Sequence, residues 1–93
     1  MKILVTGAAG FIGFHFINSI KNKKIKIYGI DNLNDYYSTK LKKDRLKYLK
    51  KNKNFYFYKI DISNFSSLKK IFKNKFDIVY NFAAQAGVRY SFQ

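Results

Sequence analysis

The chain contains no cysteine, no proline and no glutamate. Without cysteine there is no disulfide framework, no thiolate metal site and no thiol nucleophile, which suits a reducing compartment. The missing proline, together with the lack of internal repeats or a Gly/Ser-rich stretch, leaves no candidate linker. No basic segment followed by a long apolar run opens the chain, and no apolar run approaches the about 20 residues of a membrane-spanning helix. These absences predict a cytoplasmic protein with no membrane partner. Glycine is scarce too, with five in 93 residues, yet Gly7, Gly10 and Gly13 stand close together near the start.

What is present is apolar and basic. Hydrophobic residues make up 47% of the chain and aromatic residues 19%, which is enough for a core and excludes global disorder. The length suits one small domain or part of a larger one. Nineteen basic residues against five aspartates give a net charge of +14, a balance that raises nucleic acid as a partner. Nearly all the cations are lysine, with arginine only at positions 45 and 89. Specific phosphate and base recognition favours the arginine fork, whereas lysine spread over polar faces is a solvated surface. The expectation is no specific nucleic-acid partner, with weak, salt-sensitive attraction to polyanions left open.

The three glycines lie in Val5-Thr6-Gly7-Ala8-Ala9-Gly10-Phe11-Ile12-Gly13. Before them Ile3-Leu4-Val5 has the length and β-branched character of a buried strand, and after them comes a helix-like stretch with Ile12, Phe16, Ile17 and Ile20. A glycine-rich turn between strand and helix allows positive φ and lets a phosphate approach the backbone. The helix behind it offers unpaired N–H groups and the positive end of its dipole. The spacing G-x-x-G-x-x-G differs from the G-x-G-x-x-G dinucleotide fingerprint but divides the same tasks: turn, close approach and helix–strand packing. A tight turn without a ligand would also use glycine.

The chain alternates strands and helices. Residues 2–6 read as a strand, 11–22 as a helix, 25–30 as a strand closing on Asp31, and 40–51 as a lysine-rich helix with Leu41, Leu46, Tyr48 and Leu49 as its apolar residues. Residues 55–60 read as an aromatic strand ending at Asp61-Ile62. Ser63 or Asn64 can cap a helix over 65–74 with Leu68, Ile71 and Phe72 inward, and 77–82 reads as a fourth strand. The pattern β-α-β-α-β-α-β predicts a parallel α/β sheet in the order 3-2-1-4, with a ligand crevice at the carboxyl ends of the strands. Gly7 to Gly13, Asp31, Asp61-Ile62 and Phe82-Ala83-Ala84 all fall at those ends. Asp31 follows the loop at about the 20-residue distance of a ribose-binding carboxylate, and its charge would accept a 2′-hydroxyl while repelling a 2′-phosphate. Asp31 could also simply open a turn with Asn32.

Residues 1–13 resemble the opening of the extended short-chain dehydrogenase/reductase family, the NAD-dependent sugar-nucleotide epimerases and dehydratases. Asp31-Asn32-Leu33-Asn34-Asp35-Tyr36-Tyr37 and Asn81-Phe82-Ala83-Ala84-Gln85-Ala86-Gly87-Val88-Arg89-Tyr90-Ser91 resemble stretches of its UDP-glucuronate 4-epimerases. The resemblance implies a Rossmann-type fold with NAD as cofactor. Gly7, Gly10, Phe11, Ile12 and Gly13 would lie at the pyrophosphate, and Asp31 and Asn32 at the adenosine ribose. Asp61 and Ile62 would border the adenine, and Phe82, Ala83 and Ala84 would line the path to the nicotinamide. It also implies a nucleotide-sugar substrate and a homodimer for the full-length protein.

The catalytic Ser/Thr and Tyr-x-x-x-Lys of that family have no counterpart in these 93 residues. Tyr36 to Lys40 spells Tyr-x-x-x-Lys but falls in the loop after the second strand, a coincidence in a chain rich in both residues. His15, the only histidine, has no acid or nucleophile near it in sequence and reads as structural or surface. The expectation is therefore an incomplete NAD-binding domain over residues 1–93, with no catalytic residue and no metal ligands, inactive by itself. A nucleotide-sugar dehydratase or decarboxylase, and a non-catalytic nucleotide-binding module, stay open as alternatives.

Overall fold

Alternating apolar side chains along β1 (Lys2–Thr6) and β2 (Lys26–Asp31) point to opposite sides of a sheet, and each side meets its own helices. The computed structural model describes residues 1–21, 24–33 and 39–82. The remaining elements are α1 (Phe11–Ile20), α2 (Thr39–Leu49), β3 (Phe55–Lys59), α3 (Phe65–Ile71), a short 3-10 turn (Phe72–Asn74) and β4 (Ile78–Asn81). All strand pairs are parallel and the order is β3-β2-β1-β4, as the alternation predicts. The arrangement is a Rossmann-type α/β sheet.

Ile3, Val5, Ile27 and Phe55 face one side, where they pack with Ala8, Ala9, Ile17, Leu46 and Leu49 of the loop, α1 and α2. Leu4, Tyr28 and Ile30 face the other and meet Ile71 of α3, with Phe76 and Leu68 against them. Tyr56 and Tyr58 of β3 lie on this second side stacked beside Tyr28, with ring centroids 5.0 and 6.2 Å away.

Several expected boundaries and faces move. α1 ends at Ile20, with Lys21 in extended conformation after it, and its last turn carries no cation. Asn22 and Lys23 lie outside the described residues. Residues 72–74 tighten from α-helix into a 3-10 turn, closed by Lys75 at φ 55°. Of the two candidate caps, Asn64 accepts from Ser67 N at 3.2 Å, while Ser63 turns back to Asp61. Phe72, expected inward on the third helix, is exposed and yields its inner place to Phe76, and Ile12 of α1 is exposed. Leu41 and Tyr48 are exposed as well, so Leu46 and Leu49 alone supply the buried apolar residues of α2.

The loop between β1 and α1 is held very tightly. Gly7 takes φ 68°, a left-handed conformation that glycine adopts without steric cost. Gly13, buried in α1, stands so close to that turn that a Cβ on it would sit 2.2 Å from the Gly7 carbonyl oxygen. A Cβ on Gly10 would be 3.3 Å from the same atom, a contact that a small shift relieves. Gly13→Ala should therefore displace α1 and destabilise the fold by about 1–3 kcal/mol, the usual range for overpacking. Gly10→Ala should cost clearly less, and urea unfolding of the two variants side by side checks the difference.

Candidate functional site

The four strand ends meet on one rim because the register aligns them. Thr6 pairs with Ile30 on one side and Asn81 on the other, and Asp31 pairs with Lys59. The segments leaving the strands are tied to their neighbours: Ala8 N donates to Ile30 O, Phe82 N to Thr6 O and Ile60 N to Asp31 O. The Thr6 hydroxyl also donates to the Asn81 side-chain oxygen across the β1–β4 pair.

At the centre of this rim the glycine loop passes directly into α1. Gly10 is the N-cap residue and brings no side chain to cap the helix, and no acidic residue stands in the first turn. Ala8, Ala9 and Gly10 spend their N–H groups on Ile30 O, the Asp31 carboxylate and Gly7 O. The first intrahelical bond runs from Phe14 N to Gly10 O, so the N–H groups of Phe11, Ile12 and Gly13 precede the helical ladder. Phe11 and Ile12 themselves are 65% and 62% exposed. An anion with an apolar or aromatic body suits such a surface.

Asp31 ends β2 and is only 6% exposed. Its Oδ2 accepts from Ala9 N at 3.1 Å and its Oδ1 from Leu33 N at 2.8 Å, while Lys42 Nζ lies 3.5 Å from Oδ1. The carboxylate thus holds the glycine loop on one side and, on the other, the turn in which Leu33 takes φ 55°. An ionised carboxylate has about four lone-pair positions, so this one keeps room for a further donor. Asn32, beside it, is half-buried.

Asp61 and Ile62 follow β3 on the same rim and are exposed. Asp61 Oδ1 accepts from Ser63 N at 2.9 Å and from Ser63 Oγ at 2.8 Å. Phe82 is half-buried against Phe16, with ring centroids 5.4 Å apart. Ala83 and Ala84 lie outside the described residues, as do Tyr36 and Tyr37 of the coincidental Tyr-x-x-x-Lys. Its Lys40 is exposed and lies 3.7 Å from Asp44. His15 is exposed, its ring against Phe11 and Phe14. Among the described residues, no cluster of His, Cys, Asp or Glu could hold a metal ion. No helix among them is long and apolar enough to cross a membrane.

Two residues of this region escape a reading based on charge alone, which places all the lysines on solvated surface. Lys42 is buried at Asp31, and Arg45 Nη1 donates to Ala9 O at 3.0 Å with its guanidinium 5.8 Å from the Phe11 ring centroid. The legible signal is spacing: Lys42, Arg45, Leu46 and Leu49 share one helical face, and the last two are core.

With this geometry in place, residues 4–93 match the family model described as GDP-mannose 4,6 dehydratase. The chain belongs to that family. It is 48% identical over 94 residues to protein CapI of Staphylococcus aureus, covering all of this chain and 28% of that protein. It is also 48% identical over 91 residues to the UDP-glucuronate 4-epimerase of Thermodesulfobacterium geofontis, covering 97% of this chain and 28% of that one. A crystal structure of Bacillus cereus UDP-glucuronic acid 4-epimerase with UDP-glucuronic acid and NAD superposes with a TM-score of 0.82 at 41% identity. That match covers all of this chain and 29% of the other. The chain thus spans less than a third of the length of these relatives.

The Ser63 hydrogen bonds, backbone first and then hydroxyl, hold the Asp61 carboxyl below its ordinary value. A carboxyl depressed in the folded state contributes stability above its unfolded range, and that contribution is lost as pH falls through the folded value. Ser63→Ala removes the hydroxyl donor and keeps the backbone one. The Asp61 titration followed by NMR should then move upward without reaching the ordinary carboxylate value.

Proposed function

We infer that residues 1–93 are the NAD-binding part of a sugar-nucleotide epimerase acting on UDP-glucuronate, an incomplete Rossmann domain within a longer, homodimeric cytoplasmic protein. The observation that carries this reading is the Asp31 carboxylate hydrogen-bonded to Ala9 N, which joins a ribose acceptor to an uncapped, glycine-lined helix N-terminus. The relatives' UDP-glucuronate 4-epimerase identity supports the substrate, and the NAD-containing neighbour supports the cofactor.

The residues present fit a dinucleotide. Gly7 and Gly10 carry no side chains and Ala8 and Ala9 turn theirs into the core, so the N–H groups of Phe11, Ile12 and Gly13 would be open to the pyrophosphate. Asp31, with Asn32, would accept from the adenosine ribose, and Asp61 and Ile62 would flank the adenine. Phe82, with Ala83 and Ala84, would line the route toward the nicotinamide. NAD, when bound, supplies the hydride acceptor for transient oxidation at C4 of the sugar. This chain's contribution is to bind and orient. The related enzymes use a tyrosine paired with a lysine as general base, and among the described residues the rim holds no such pair, so proton removal would fall to other residues of the whole protein.

A dehydratase has its own supporting observation, since the matching family model carries that description. The experiment that separates the readings is expression of the whole reading frame containing this chain, with UDP-glucuronate as substrate and products followed by NMR. The expected outcome is an interconverting pair of C4 epimers, and a Tyr-x-x-x-Lys encoded downstream of Gln93. Loss of water or of carbon dioxide would replace the epimerase by a dehydratase or decarboxylase. A stop codon directly after Gln93 would remove the catalytic assignment.

A further inference from the structure

At the ends of α1 and α2 that point away from the rim, a cavity of about 390 Å³ opens between the two helices. Its apolar part is made by buried Ile17 and Leu49, and the exposed side chains of Lys21, Tyr48 and Lys51 line it toward solvent. The ammonium groups of Lys21 and Lys51 lie 5.5 and 5.6 Å from the centroid of the same Tyr48 ring. Two like charges drawn to one ring repel each other, and neither has a carboxylate partner among the described residues. Nor are they needed at the end of α2, where the N–H groups of Lys50, Lys51 and Asn52 already take the carbonyls of Leu46, Tyr48 and Leu49.

The cavity wall also carries an acceptor and a donor without partners. Asn18 Oδ1 and Asn52 Nδ2 are shut off from water and make no hydrogen bond among the described residues. The Asn52 amide is oriented, because its Oδ1 accepts from Asn54 N at 3.0 Å and leaves the NH2 group as the orphan. Burying such groups unpaired is costly, and folded proteins rarely do so without a ligand or water to answer them.

We propose that this cavity is a second ligand site, for a small polyhydroxylated anion: a sugar carrying a phosphate or a carboxylate. A hydroxyl both donates and accepts, so a sugar satisfies Asn18 Oδ1 and Asn52 Nδ2 alike. Its anionic group, between Lys21 and Lys51, relieves their repulsion, and its apolar face lies on Ile17 and Leu49. Because both amide atoms are covered, the side chains of Lys21, Tyr48 and Lys51 shift to admit the sugar. The ten residues of α1 separate this site from the glycine loop by about 15 Å, so it stands whatever the rim binds.

The test is NMR of the isotope-labelled protein expressed from its whole reading frame, titrated with glucose 1-phosphate or glucuronate. The signals followed are the side-chain amides of Asn18 and Asn52, identified by their loss in Asn18→Leu and Asn52→Asp, which report on this cavity alone. Both probes should shift them saturably, with and without NAD, and the tighter one identifies the preferred anionic group. Lys21→Met combined with Lys51→Met, at exposed positions, should weaken binding about tenfold or more, and added salt should weaken it in wild type. Asn18→Leu should weaken the sugar yet raise the thermal unfolding midpoint measured without it, since an apolar group of similar shape removes the buried orphan. A variant that merely disturbed folding would lower that midpoint. Inorganic phosphate binding as tightly as the sugar phosphate would reduce the cavity to an adventitious anion site and overturn the proposal. So would the absence of a saturable shift at millimolar sugar, or sugar constants unchanged by the double lysine variant.

Discussion

One buried carboxylate organises the rim of this sheet. Asp31 ends β2, accepts from the glycine loop after β1, orients the turn at Leu33 and faces the ammonium of Lys42 on α2. A charge in such a position is tolerated only when hydrogen bonds and a counter-charge replace water. The carboxylate meets that condition by drawing together three segments distant in sequence. The loop, the β2 end and α2 consequently hold a common geometry, and the same oxygen atoms that stabilise the fold are the ones a ribose would address.

The second constraint is steric. α1 approaches the Gly7 turn so closely that Gly13 has no room for a side chain, which brings the first helical N–H groups onto the strand ends. Arg45 adds a strut from α2 to the Ala9 carbonyl and lies across Phe11. The loop is thus set from below by the sheet, from one side by Asp31 and from another by α2. Little rearrangement would be needed to receive an anion, which is the physical meaning of a preorganised site.

Much of this was legible because it follows local rules. The strand–glycine–helix junction, the β-α alternation and the position of Asp31 at a strand end are short-range features, and the observed order β3-β2-β1-β4 agrees with the expected one. The misreadings share a different cause. Phe72 is an apolar residue at plausible helical spacing, yet it is exposed and Phe76 fills the place beside Tyr28. Lys42 and Arg45 have the composition of surface residues yet meet Asp31 and the Ala9 carbonyl, because α2 lays that face over the loop.

The amino-acid sequence by itself determined the class of fold, the glycine turn and the acceptor at the end of β2. Each depends on backbone freedom or on alternation within a few residues. Only the tertiary structure decided which cations pack against Asp31 and the loop and how the loop spends its N–H groups. It also decided which face of each helix is covered, since burial and charge pairing depend on residues far apart in the chain. Lys42 is a surface lysine in composition and a partner of Asp31 in space, because the long-range packing of α2 takes its ammonium out of water and gives it a carboxylate instead.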